Sequence, residues 1–132
     1  MTENLIRQGK LDEALKNATT TITKFKNDTI SLEQIGRINF SKNELFKSLS
    51  AYTEAASIME FNEGFRYIYP HDIQVFLSDV DIKIAEIYEK LNQSNLQCEF
   101  LNKAKDIVIF ETRPDRQKMI KEIQEKLKNC QN

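Results

Sequence analysis

The sequence predicts an all-α fold, a stack of helix pairs closed by a polar final helix. Three observations carry this. Gly9-Lys10-Leu11-Asp12-Glu13-Ala14-Leu15 is echoed 34 residues later by Asn43-Glu44-Leu45-Phe46-Lys47-Ser48-Leu49, with the small residues Ala14 and Ser48 in one slot. A period of this length belongs to helical repeats, in which each unit buries its second face against the next. Only three glycines and two prolines interrupt 132 residues, which favours long helices. No Asn-Gly or Asp-Gly hairpin turn occurs.

The elements follow from apolar spacing. Leu11, Leu15, Ala18, Ile22 and Phe25 recur at steps of four and three, one stripe of a helix. Asn27-Asp28-Thr29 interrupts it. Ser31 with Gln34 reads as a capping box opening a short helix to Phe40, with Leu32, Ile35 and Ile38 inward. Ser41 with Glu44 reads as a second box. The helix it opens carries Leu45, Leu49, Tyr52, Ala56 and Met59 on one face. Residues 60–71 break the pattern with Gly64, Pro70 and a run of aromatics. A long helix from Asp72 to Leu91 follows, lined by Ile73, Phe76, Val80, Ile84, Ile87 and Leu91. Ser94 with Gln97 is a third box. Leu96, Phe100, Leu101, Ala104, Ile107 and Val108 mark the next helix. Pro114 sits where a first helical turn tolerates it. Ile120, Ile123, Leu127 and Cys130 stripe the last helix, whose outer face is Lys, Glu and Gln.

Composition removes several function classes. Lys+Arg is 19 against Asp+Glu 20, so the basic excess of a dedicated nucleic-acid binder is missing. The longest apolar runs are about four residues, too short to span a membrane. The N-terminus lacks a basic segment followed by an apolar one, so no secretory signal is read. Cys98 and Cys130 show no Cys-x-x-Cys spacing and cannot build a disulfide framework. They read as half-buried apolar residues in a cytoplasmic protein. His71 is the only histidine and has no ligand-type cluster around it, so neither a metal nor a cofactor is expected. Three isolated glycines make no phosphate loop. No nucleophile–base pair is apparent either, so the chain is not expected to be an enzyme.

The chain resembles the tetratricopeptide-repeat family, residue by residue. In the middle unit, residues 29–62, Leu32, Ile35, Gly36, Leu45, Ser48, Tyr52 and Ala55 match the family's alternation of large and small residues. Asn39 departs from it. In the first unit, 1–28, Gly9, Leu11, Ala14 and Ala18 fit, but its first helix is truncated or missing. In the third, 78–111, Ala85, Tyr88, Leu101 and Ala104 fit, while Gln97 stands where a small residue belongs. Ala55 and Ala104 are 49 residues apart, one period plus 15, so about half a repeat is inserted, covering 61–76. The resemblance implies an α-solenoid of about three antiparallel helix pairs, with 114–130 as the capping helix, in one domain spanning 1–132.

The family binds peptides or helices in a concave groove lined by the first helix of each pair. Carried over, the groove residues are Ile30, Glu33, Arg37, Phe40 and Ser41 in the middle unit, and Asp79, Ile82, Glu86, Glu89 and Lys90 in the third. Their mixed signs do not suit a carboxylate clamp. A second candidate surface is the insertion, where Phe65, Arg66, Tyr67 and Tyr69 are interface-prone side chains. The expected function is non-enzymatic: a protein–protein interaction module for another protein or peptide. The alternatives are a peptide-sensing domain of a larger protein and a self-associating module, a homo-oligomer docked through its first helix. No nucleic-acid or membrane partner is expected.

Overall fold

A computed structural model describes residues 1–61, 70–108 and 113–130 of the chain. Among these residues every regular element is helical. They are α1 (Thr2–Arg7), α2 (Leu11–Lys24), α3 (Thr29–Ser41), α4 (Leu45–Glu60), α5 (Pro70–Lys90), α6 (Ser94–Val108) and α7 (Pro114–Leu127), then one 3-10 turn (Lys128–Cys130). The chain divides into two compact units, Met1–Phe61 and Asn62–Asn132.

One turn is used three times. After α1, Gly9 takes φ 74°. Its N–H donates to the Ile6 carbonyl (3.0 Å) and the Lys10 N–H to that of Leu5 (2.9 Å). After α3, Asn43 takes φ 59°, with Asn43 N–H to Phe40 O (3.0 Å) and Glu44 N–H to Asn39 O (2.8 Å). After α5, Asn92 takes φ 58°, with Asn92 N–H to Glu89 O (3.1 Å) and Gln93 N–H to Tyr88 O (2.9 Å). Each is a Schellman closure, which satisfies the last carbonyls of a helix through one left-handed residue. Glycine and asparagine are the residues that accept that conformation most readily. The next helix begins two residues later each time, at Leu11, Leu45 and Ser94.

These turns correct the expected capping boxes. Ser41 ends α3 instead of capping α4, and the Glu44 amide is committed to Asn39. Ser31 lies inside α3. The cap is Asp28, whose Oδ1 accepts from the Ile30 and Ser31 amides at 3.1 and 3.3 Å. A carboxylate at a helix start also meets the positive end of the helix dipole. At α6, the Gln97 side chain donates to Glu89 Oε2 (2.8 Å) instead of folding back. The first helix, expected to be truncated or missing, is a short one, the six residues of α1.

In the first unit each helix packs on the next in sequence: α1 on α2, α2 on α3 and α3 on α4. Ala14, Ala18, Leu32, Ile38, Ala51, Tyr52, Ala55 and Met59 are buried. Phe25, expected in the α2 stripe, ends the helix and is 64% exposed. The α3–α4 crossing is close. Ser48 is fully buried, and its hydroxyl donates to the Gly36 carbonyl at 2.7 Å. A Cβ added at Gly36 would lie 2.8 Å from the Tyr52 ring, so only glycine fits there. Asn39, the departure from the repeat pattern, is buried with its amide bonded to the Ile35 carbonyl (3.1 Å).

In the second unit α5 packs on α6 and α6 on α7. Ile73, Leu77, Val80, Ile84, Ala85 and Ile87 of α5, Leu101, Ala104 and Val108 of α6, and Ile123 of α7 are buried. The Tyr88 and Phe100 rings meet at 5.6 Å, and the Lys103 ammonium lies 4.6 Å above Phe100. Cys98 and Cys130 are joined as a disulfide, with Cα atoms 5.7 Å apart. This corrects the reading of the cysteines as free apolar side chains. The packing of α7 returns residue 130 to the start of α6, a juxtaposition that spacing alone does not reveal.

Candidate functional site

The groove residues of the first unit lie along α3. Ile30, Glu33 and Arg37 follow at steps of three and four, so they share a face. Ile30 is 67% exposed, an unusual position for a large aliphatic side chain beside charges. Arg37 is the hub. Its Nη2 donates to Glu3 Oε1 from α1, and its Nε lies 3.2 Å from Glu33 Oε2. The Glu33 contact is an ion pair without hydrogen-bond alignment, because Arg37 Nε makes no hydrogen bond. Gln34 Nε2 also donates to Glu3 Oε1, at 3.4 Å. Phe40 is half-buried one turn beyond.

Two carboxylates thus flank one guanidinium whose side chain is 33% exposed. Burial acts to raise the Glu3 pKa. The hydrogen bonds from Arg37 and Gln34 and the charges of Arg37 and Arg7 outweigh it, and the carboxyl ends below its ordinary value of 4.5. At the far end of α3, Lys42 Nζ bonds Asp12 Oδ1 of α2 at 2.7 Å. That hydrogen bond, with the Lys42 charge, holds Asp12 below its ordinary value too. Sequence reasoning left Glu3 out of the site. Its signal was available: Glu3 and Arg37 stand 34 residues apart, the same spacing as the echo of residues 9–15 in 43–49.

The groove residues of the second unit lie on α5. Glu86 pairs with Lys83 at 3.6 Å. Ile82 is half-buried and packs against the cluster of Ala104, Val108 and Ile123. Asp79 accepts from Arg116 of α7 at 2.9 Å, and the same Nη2 donates to Ser78 Oγ at 3.2 Å. The α7 helix therefore engages part of the face that the resemblance assigned to a ligand. Phe65, Arg66, Tyr67 and Tyr69 lie outside the described residues. Of the predicted partner-binding residues, the structure brings Glu33 and Arg37 into one network and adds Glu3 to it.

Among the described residues no group of three His, Cys, Asp or Glu side chains could hold a metal ion. Comparison with known proteins returns no matching family model and no matching curated protein. The face thus carries a partly exposed guanidinium paired with two carboxylates, on the same helix as the exposed Ile30.

Proposed function

We propose that the chain is a tetratricopeptide-repeat-like, non-enzymatic interaction module that binds a peptide or helix of a partner protein. In this reading the three repeated turns are the joints of a solenoid of antiparallel helix pairs, and α7 is its cap. The observation that carries it is the Glu3–Arg37–Glu33 network beside Ile30. Arg37 presents a planar donor set suited to a carboxylate. The ligand segment supplies an acidic group that displaces Glu3 from Arg37, and an apolar side chain that covers Ile30. The aromatic insertion, Phe65, Arg66, Tyr67 and Tyr69, stays within the proposal as a second contact region, as do Phe40, Ile82 and Glu86.

The compartment belongs to the same proposal. No helix among the described residues is long and apolar enough to cross a membrane. A cytoplasmic home stays part of the proposal, and the Cys98–Cys130 bond weighs against it, because such bonds persist in oxidising compartments. Thiol labelling of protein freshly taken from its source reads this directly. A fully oxidised pair moves the protein out of the cytoplasm.

The binding reading is tested by selecting a displayed peptide library on the full chain. The expected result is convergence on peptides carrying an acidic residue near an apolar one. Arg37→Glu should weaken a selected peptide at least about tenfold, the cost of removing one partner of a charged hydrogen bond. Glu3→Gln should tighten it, by freeing the guanidinium. A selection without convergence, or peptides indifferent to both changes, sinks the reading.

A further inference from the structure

One face of the second unit is covered by the chain itself. Arg116, Met119, Ile120, Ile123 and Leu127 of α7 fall at steps of three, one, three and four, so they form one stripe. Ile123 is buried with Ala104 and Val108 of α6. Met119, Ile120 and Leu127 join that cluster half-buried, as do Ile107 of α6 and Ile82 of α5. At the head of the stripe Arg116 donates to Asp79 and Ser78 of α5. Asp79 and Ile82 are positions that the repeat resemblance gives to a ligand. The last helix therefore sits where a partner's helix is expected.

Its hold is light. Of the fourteen residues of α7 only Ile123 is buried. Arg116 Nε is buried without a hydrogen-bond partner among the described residues, so part of its desolvation is uncompensated. A helix of this length is marginal in water by itself and depends on what it packs against. The remaining fastener is covalent. At Pro114 α7 is continuous with the chain, and just past its other end Cys130 is bonded to Cys98 of α6. The helix is tied at both ends while the bond stands and at one end once it is cut. Both cysteines are half-buried and not enclosed, so a small dithiol reaches them.

We infer that α7 is a redox-locked cover over a helix-binding face of α5 and α6. Reduction opens this face to a partner's amphipathic helix that carries a cation one turn ahead of an apolar stripe, the pattern of α7 itself. The opening step is thiol–disulfide exchange with a dithiol reductant. One reductant thiolate attacks a sulfur of the pair, forming a mixed disulfide and freeing the other cysteine. The second reductant thiol then displaces the first protein sulfur. Two electrons and two protons pass to the chain, leaving Cys98 and Cys130 as thiols and the reductant as a disulfide. While the lock holds, the face is vacant in a small fraction of molecules, and a ligand's apparent affinity falls by that fraction. The inference rests on the peptide-binding reading in expecting a partner's helix. It uses none of Glu3, Glu33 or Arg37, so the two are tested apart.

The probe is a fluorescein-labelled peptide of residues 113–129, which is α7 without its cysteine. It is titrated by anisotropy into the full chain, oxidised or reduced with dithiothreitol. The reduced chain should bind it at least about tenfold more tightly. Ile123→Ser in the chain removes the buried anchor of its own α7, a tethered competitor, and should tighten binding further. In a reduced chain carrying Asp79→Lys, the unchanged peptide should weaken and a peptide carrying Arg116→Glu should bind better than it. Hydrogen exchange should speed through α7 on reduction while the α5 amides stay protected. Equal affinity in the two redox states overturns the lock. A peptide that binds neither state, or a charge exchange that leaves the preference unchanged, overturns the helix-binding face. Loss of α5 protection on reduction overturns both, because the face would melt with its cover. Peptides selected through Arg37 are the control: if they bind while the α7 peptide does not, this inference falls and the reading of α3 stands. If only the α7 peptide binds, and only after reduction, the reverse holds.

Discussion

The two units close their helix pairs with the same turn and then fasten them by different means. At Asn43 and at Asn92 the chain makes one left-handed residue, the same two backbone hydrogen bonds, and a new helix two residues on. In the first unit the pair is drawn close. Gly36 offers no side chain, Ser48 bonds its carbonyl, and the Tyr52 ring lies in the space a Cβ would need. In the second unit Gln97 stands where Ser48 stands in the first, and it bonds Glu89. Contact between α5 and α6 passes to the larger Tyr88–Phe100 ring pair, and the Cys98–Cys130 bond ties α6 to the turn that follows α7. A shared turn thus sets where helices reverse, while steric fit secures the α3–α4 crossing and a covalent link secures the end of the second unit to α6.

That contrast predicts unequal responses to reduction. The disulfide spans 32 positions, and opening a loop of that size costs about 3–4 kcal/mol on the chain-entropy account. Reduction, or Cys98→Ser with Cys130→Ser, should produce the largest loss of stability. Hydrogen exchange should place the loss in α6 and α7 and leave the α3 and α4 amides unchanged. Equal acceleration in both units would break the comparison.

The first unit should instead fail at its steric contact. Gly36→Ala puts a methyl 2.8 Å from the Tyr52 ring, which is 1% exposed and must shift to admit it. Overpacking of this kind costs about 1–3 kcal/mol, and the helix-propensity gain of alanine over glycine returns about 1. The net expectation is a loss of up to about 2 kcal/mol, read as a lower denaturant midpoint. In a double-mutant cycle, Tyr52→Leu should absorb most of the cost. An additive cycle would show that the ring is not what excludes the methyl.

Much of the fold was legible in the sequence, because its signals are local. Apolar spacing marked the helices, and the echo of residues 9–15 in 43–49 marked the repeated turn. The capping boxes misled for a local reason as well. Asp28 takes the Ser31 amide that the Gln34 side chain was expected to cap, and the Schellman turn takes the Glu44 amide before a box can form. What stayed hidden depends on packing. Whether residue 130 can reach residue 98 is settled by the way α7 lies on α6. That Glu3 belongs with Glu33 and Arg37 follows from stacking α1 beside α3, although the 34-residue spacing carried the hint.

The smallest expected effect separates the units by pH. Glu3 and Asp12, both in the first unit, have pKa values lowered by folding. For a carboxyl with a depressed folded pKa, stability is present above the unfolded value. It is lost as pH falls through the folded one. The window therefore opens near the ordinary Glu value of 4.5 and extends below it. The Glu3 side chain is 42% exposed, so solvent screening limits its link to Arg37 to a few tenths of a kcal/mol. Unfolding midpoints measured across this range should fall on acidification, and Glu3→Gln should flatten part of the fall. The part that remains should vanish with Asp12→Asn, which removes the Lys42 pair. If the double variant keeps the full acid dependence, the charges that matter lie elsewhere, and these two pairs do not fasten α1 and α2 to α3.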